Sequence, residues 1–153
     1  MLEKIIENTS EYIDSMPKME RKKYGQFFTS IETARYMAEL FEIPEEQDKI
    51  RILDAGAGSG ILSCAMIERL EDIDTVKNIE VLCYETDINV MPLLQKNLNI
   101  AKEFSSKEVD FVIKEDNYIL SQYLDFNHMI GGNFNPPKYD VVIGNPENSK
   151  RCS

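Results

Sequence analysis

Apolar residues recur along this chain in two rhythms. Four short runs read as strands: Ile50 to Leu53, Ile79 to Tyr84, Val109 to Ile113 and Tyr139 to Gly144. Around them the spacing is helical. Leu2, Ile5, Ile6 and Ile13 fall on or near one face of a helix over Leu2 to Ser15. Ile31, Ala34, Met37, Ala38 and Phe41 form the stripe of a second helix, Ile31 to Phe41. Ile61, Leu62, Ala65 and Met66 give the inner face of a third. A fourth is expected from Ile88, with Pro92 in its first turns, where proline is tolerated. Strands alternating with helices predict an α/β domain with a parallel sheet. Ile50, Ile52 and Leu53 suit a parallel strand covered on both faces.

The connections are polar. Pro17 ends the first helix, and Lys18 to Lys23 form a basic cluster that reads as a solvated linker in preference to a phosphate contact. Thr29 with Glu32 forms a capping-box pattern for the second helix. Pro44 to Lys49 and the charged Glu71 to Asn78 are turns. Residues Ser121 to Lys138, with Gly131-Gly132 and Pro136-Pro137, form a long irregular stretch that reads as a loop over a site.

The chemistry concentrates at one turn. The first strand closes on Asp54 and runs into Gly56-Ala57-Gly58-Ser59-Gly60, then a helix. Alternate glycines let backbone turn tightly and approach a ligand closely. In an open α/β sheet, ligands bind at the carboxyl ends of the strands, where this turn sits. A dinucleotide fingerprint, G-x-G-x-x-G, would need its third glycine where Ile61 stands. The order acidic-x-Gly-x-Gly-x-Gly instead resembles motif I of S-adenosylmethionine-dependent methyltransferases. That resemblance implies a cofactor with no phosphate but with a sulfonium cation and an amino-acid end. A carboxylate such as Asp54 beside the turn then makes electrostatic sense. Glu85 ends the second strand one βαβ step later, where an acid can accept both hydroxyls of a ribose; Asp87 is left for the helix N-terminus.

Gly25-Gln26-Phe27-Phe28-Thr29, placed before the glycine turn, is similar to motif X of adenine-N6 DNA methyltransferases, with Ser30 for the usual proline. Asp116, after the third strand, matches their motif III acid, though Asn117 departs from the apolar or aromatic residue often beside it. Asn145-Pro146, after the fourth strand, matches the start of motif IV, Asn-Pro-Pro-Tyr. Glu147 and Asn148 then break that pattern. Asn135-Pro136-Pro137-Lys138 resembles it only superficially, because it precedes a strand.

The resemblance implies a Rossmann-like α/β methyltransferase fold with strand order 3-2-1-4, truncated after the fourth strand. It implies methyl transfer from S-adenosyl-L-methionine to adenine N6 in DNA. The implied cofactor-binding residues are Thr29 for the amino-acid end, Asp54, Gly56, Gly58 and Gly60 beside the methionine portion, Glu85 for the ribose and Asp116 for the adenine. Asn145 and Pro146 are the implied catalytic residues, receiving the target base. The chain divides into a helix and linker (1–22), the first half of a catalytic domain (23–146) and an aberrant tail (147–153), read as the product of a small frameshift near codon 146. This chain alone is expected to bind cofactor at best. Two alternatives stand beside it: a non-catalytic cofactor-binding or self-associating remnant, and a nucleotide-dependent oxidoreductase.

Composition narrows the partners. The 153 residues carry a net charge of −10, a poor footprint for holding DNA unaided. No apolar run approaches a membrane span, and Met1 to Ser10 does not read as a signal peptide. Cys64 and Cys83 lie in apolar surroundings and read as packing residues of a cytoplasmic protein. His128 has no partners for a metal site, and no metal is expected. The run Tyr139 to Ile143 should form an apolar sheet edge, which invites a homodimer or higher assembly.

Overall fold

The four apolar runs pair as one parallel sheet. In the computed structural model, which describes residues 1–25, 28–122 and 137–144, they are β1 (Lys49–Asp54), β2 (Asn78–Tyr84), β3 (Glu108–Lys114) and β4 (Val141–Ile143). The order is β3-β2-β1-β4, as expected. Register sets like beside like: Ile52 pairs with Val81 and Val141, Val81 with Phe111, and Leu53 with Leu82 and Val142. The helices are α1 (Leu2–Ser15), α2 (Lys18–Gly25), α3 (Ile31–Glu39), α4 (Ile61–Glu71) and α5 (Met91–Phe104).

One face of the sheet carries the core. Ile50, Ile52, Ile79, Val81, Cys83, Val109, Val141 and Ile143 pack with Met66 and Ile67 of α4, Leu94 and Leu98 of α5, and Leu2 and Ile5 of α1. Each fully buried Leu, Ile or Met contributes about 1.5–3 kcal/mol. Leu53 is fully buried on the other face, as a strand covered on both sides requires, but among the described residues the rest of that face is more open. Arg51 is exposed there and pairs with Glu80, while Val112 and Val142 are each 56% exposed. The cause is topological. The crossovers β1-α4-β2 and β2-α5-β3 step in the same direction across the sheet, and right-handed crossovers then place both helices on the same side. A cleft of about 550 Å³ opens on the far side, lined in part by Arg51, Leu82, Val112, Pro137 and Tyr139.

Several boundaries differ from the sequence pattern. Residues 18–23 form part of helix α2, not a linker, because the Pro17 carbonyl accepts from the N–H groups of Glu20 and Arg21 and starts a helical turn. Helix α3 stops at Glu39, short of Phe41. Helix α5 begins at Met91, not Ile88, because Asp87 to Val90 form a turn: the Asn89 N–H donates to Asp87 Oδ1 at 2.9 Å and the Val90 N–H to Asp87 O at 3.0 Å. Pro92 then sits in the first turn, where its missing N–H costs nothing. Strand β4 is only Val141–Ile143; Asp140 ahead of it accepts the Arg51 N–H on its side chain at 2.8 Å.

Candidate functional site

The carboxyl ends of β1 and β2 carry the glycine turn and the loop that follows Glu85. The turn is bound into the sheet on both sides: the Ala55 N–H donates to Ile143 O at 3.3 Å and the Ala57 N–H to Tyr84 O at 2.9 Å. Gly58 and Gly60 have φ of +53° and +80°, which L-residues rarely adopt. Gly56 does not require a positive φ. Gly60 is the N-cap of α4 and offers it no side chain, so no cap side chain covers the first N–H groups of α4 at the turn.

Glu85 clamps this turn to its neighbour. It is 6% exposed; Oε2 accepts from the Gly58 N–H at 2.7 Å, and Oε1 accepts from the N–H groups of Thr86 and Asp87 at 2.8 Å each. A carboxylate offers about four lone-pair sites. Three are taken by backbone, which leaves acceptor capacity for one more donor at the seam between the two loops.

Asp54 is wholly buried. Its Oδ2 accepts from Ser63 Oγ of α4 at 2.7 Å, and its Oδ1 has no hydrogen-bond partner among the described residues. Burial pushes this carboxyl up to about 6, and the nearby Glu85 charge adds to the rise; Ser63 and the Gly56 backbone oppose it. The side chain is thus engaged by Ser63 of α4 as well as by the backbone of the turn at Gly56. Ser63 also lies 3.7 Å from Cys83 Sγ. Cys64 and Cys83 are free and buried, and burial raises both thiols above their ordinary value, so neither supplies a thiolate here.

The loop ahead of α3 reaches the same place. The Phe28 ring lies 3.8 Å from where a Cβ on Gly58 would sit, so two motifs distant in sequence touch. Thr29 is half-buried beside it. It is not the helix cap: Ser30, extended at φ −71° and ψ 160°, accepts the Thr33 N–H on its Oγ at 3.2 Å. Asp116 lies exposed just past β3, and Asn117 caps the next helical turn, its Oδ1 accepting from the Leu120 N–H at 3.1 Å. Tyr118 packs edge-on against Tyr84 with centroids 5.1 Å apart, and Lys114 lies over the Tyr84 ring. Asn145, Pro146, Glu147 and Asn148 lie outside the described residues, as does His128. Gly144, the last described residue, adjoins Ala55 at the end of β1. Among the described residues no group of three or more His, Cys, Asp or Glu side chains is arranged to hold a metal, and no helix is long and apolar enough to cross a membrane.

Sequence reasoning did not single out Ser63 or Asn97. Asn97 of α5 is buried and donates to Ser59 O within the glycine turn at 2.8 Å. The signal available for both was a polar residue on the inward stripe of a helix.

Comparison with known proteins agrees with this arrangement. Residues 4–152 match the model of a family described as N-6 DNA Methylase. The chain is similar to the type II methyltransferase M.PstI of Providencia stuartii, 33% identical over 133 residues, covering 82% of this chain and 24% of that protein. It is also similar to the type II methyltransferase M.BsuBI of Bacillus subtilis, 28% identical over 142 residues, covering 85% of this chain and 27% of the relative. The chain thus spans about a quarter of the length of these curated relatives. A solved structure from Klebsiella pneumoniae, assigned as an O-methyltransferase, shares the fold at a TM-score of 0.52 and 17% identity, over 92% of this chain and 50% of that one.

Proposed function

The chain belongs to the N-6 DNA Methylase family, and from that premise we propose that it forms the cofactor-binding half of a catalytic domain that methylates adenine N6 in DNA. The family's cofactor is S-adenosylmethionine. The Glu85 clamp carries the assignment to this site: it brings the glycine turn and the post-β2 loop together and keeps an acceptor at their seam.

The residues present fit that cofactor. Glu85 is assigned to a ribose hydroxyl, and Asp116, at the end of β3, to the adenine amino group. Thr29 and the N-terminus of α4 are assigned to the amino-acid end, since a helix N-terminus favours a carboxylate. The negative charges of Asp54 and Glu85 favour a sulfonium nearby. When bound, the cofactor supplies an electrophilic methyl group. By position in the motif, the Asn145 side chain and the Pro146 carbonyl accept the amino protons of the target adenine, and so aim its nitrogen lone pair. Such alignment of two reactants is most of what this kind of site does.

We keep this chain as inactive by itself and weak toward DNA. Glu147 and Asn148 stand where the family has a proline and the aromatic on which the base stacks, and the net charge of −10 repels phosphate. The oxidoreductase alternative is disfavoured by Ile61, which is buried in the core where a dinucleotide fingerprint has its third glycine.

Calorimetric titration of S-adenosylmethionine tests the assignment. The chain is expected to bind saturably, and Glu85→Ala to bind at least tenfold more weakly, because three backbone N–H groups lose their acceptor along with the ligand's. Undiminished binding by Glu85→Ala, or no saturable binding by the unaltered chain, would overturn it.

Self-association is a second proposal, carried by β4. Among the described residues this strand is a sheet edge, and Val142 on it is 56% exposed. An uncovered apolar edge pairs readily with another copy. Sedimentation is expected to show a dimer or larger species that Val142→Lys returns toward monomer; a monodisperse monomer at tens of micromolar rejects the idea.

A further inference from the structure

Helix α1 reaches both loops of the site, one directly through Tyr12 and the other through Asn97 of α5. The first route runs through Asn97. Its Nδ2 donates to Ser59 O at 2.8 Å and to Thr9 Oγ1 of α1 at 3.4 Å, and its Oδ1 accepts from Asn8 Nδ2 of α1 at 3.4 Å. Thr9 Oγ1 donates onward to Ile5 O at 2.7 Å. Both donors of the Asn97 amide are used, which is what a buried amide requires. The second route is Tyr12, whose hydroxyl donates to Asn89 O in the turn that follows Glu85. Asn8 and Tyr12 are one helical turn apart and share a face.

This placement is not what core packing alone would select. Asn8, Thr9 and Asn97 are polar and buried on the inner faces of α1 and α5. Apolar side chains there would add burial and leave no polar group to satisfy. What the polar set does instead is fix one carbonyl of the glycine turn. Tyr12 fixes one carbonyl of the neighbouring loop. Glu85 ties the same two loops to each other from between them. The separation of the two loops is therefore set at three points, two of them anchored on α1.

We propose that Asn97 and Tyr12 are positioning residues: Asn97 holds the glycine turn through Ser59, Tyr12 holds the post-β2 turn through Asn89, and α1 is their common anchor. The consequence for cofactor affinity rests on the function proposed above. A ligand that spans both loops feels any change in their spacing, and supporting contacts of this kind decide how well a site is formed. Tyr12 governs the ribose side and Asn97 the methionine side.

Two variants and two readouts test it. Tyr12→Phe removes one hydroxyl and keeps the ring; Asn97→Leu keeps the volume and removes both donors. Amide hydrogen exchange is followed at residues 56–60 and 86–90, with β1 and α4 as internal reference, and S-adenosylmethionine and adenosine are titrated by calorimetry. Tyr12→Phe is expected to speed exchange severalfold at 86–90 only, and to weaken adenosine and S-adenosylmethionine by the same factor. Asn97→Leu is expected to speed exchange at 56–60 only, and to weaken S-adenosylmethionine about tenfold while adenosine changes little. Exchange that rises evenly through the chain, or in neither loop, overturns the proposal. So does unchanged affinity in both variants when the unaltered chain binds. If the unaltered chain binds no cofactor, the proposed function fails, and the exchange pattern alone decides whether α1 positions the loops.

Discussion

Gly60→Ala is expected to destabilise the chain by about 3 kcal/mol and to abolish cofactor binding. Two costs combine. At φ +80° a side chain meets the following carbonyl, which costs about 1–2 kcal/mol. A Cβ there would also lie 2.8 Å from Leu94 Cδ1. Leu94 of α5 is a fully buried member of the core cluster, so the end of its side chain can yield only within packed surroundings. Forcing an extra methyl into such a core costs about 1–3 kcal/mol. Gly60 is the N-cap of α4, so strain at its backbone shifts the start of that helix at the turn as well. Gly58→Ala is the control. It shares the backbone strain at φ +53°, but its Cβ meets only the Phe28 ring at an ordinary 3.8 Å. Its cost should be about 1 kcal/mol. Urea denaturation midpoints at constant slope measure the difference. Equal midpoints for the two variants would mean that the contact with Leu94 is not rigid.

Asp54→Asn is expected to act in the opposite direction on stability. Its carboxyl is raised by burial from the ordinary 3.8 to about 6. The folded protein therefore keeps this proton between about pH 4 and 6, where the unfolded chain has lost it. The stability it contributes is fully present below pH 4 and is lost as pH rises through 6. A difference of about two pH units corresponds to about 3 kcal/mol. Above pH 6 the folded state carries an ionised, buried carboxylate with one oxygen unpaired. Asparagine keeps the bond to Ser63 and carries no charge. The variant should be more stable than the unaltered chain at pH 7.5 by about 2–3 kcal/mol, and this advantage should shrink to about 1 kcal/mol at pH 4.5 and vanish below pH 4. Carboxyls held low by their partners, such as Glu71 beside Ser105 and Ser106, lose their contribution as pH falls, but they do so equally in both proteins. Thermal denaturation at the two pH values checks the result. Cofactor affinity should fall about tenfold in the same variant, because the negative charge beneath the turn is gone. A variant with neither gain nor loss at pH 7.5 would mean that Asp54 is already neutral in the folded chain.

These two residues mark how far local pattern reaches. Strands β1 to β4 announced themselves because a buried parallel strand needs a run of apolar residues within itself. Asp54 and Glu85 were identifiable as strand ends because the length of one βαβ unit places them there. The same is true of Gly60, since a tight entry into α4 needs a residue that tolerates positive φ. Even so, which way each carboxylate turns was not legible. Asp54 turns to Ser63 and Glu85 to Gly58, and both choices depend on how α4 and the post-β2 loop settle on the sheet. The cap of α3 was missed by one residue for a related reason. Thr29 and Ser30 are equally good caps in composition, and only the backbone angles at Ser30 separate them.

By itself the sequence determined the four strands, the main helices and the end of the sheet at which the chemistry gathers, because each depends on residues close together in the chain; the strand order came from the family resemblance, and α2 was read as a linker. Tertiary structure alone decided the rest. The partly open sheet face among the described residues follows from two crossovers of one hand, and on β1 only the charged Arg51 hints at it. The link from Asn8 and Thr9 to Ser59 passes through Asn97, far along the chain on a different helix, so its polar residues read as interruptions of an apolar stripe until the helices come together. A hydrogen bond needs two partners in place, and only packing brings these partners within reach of one another.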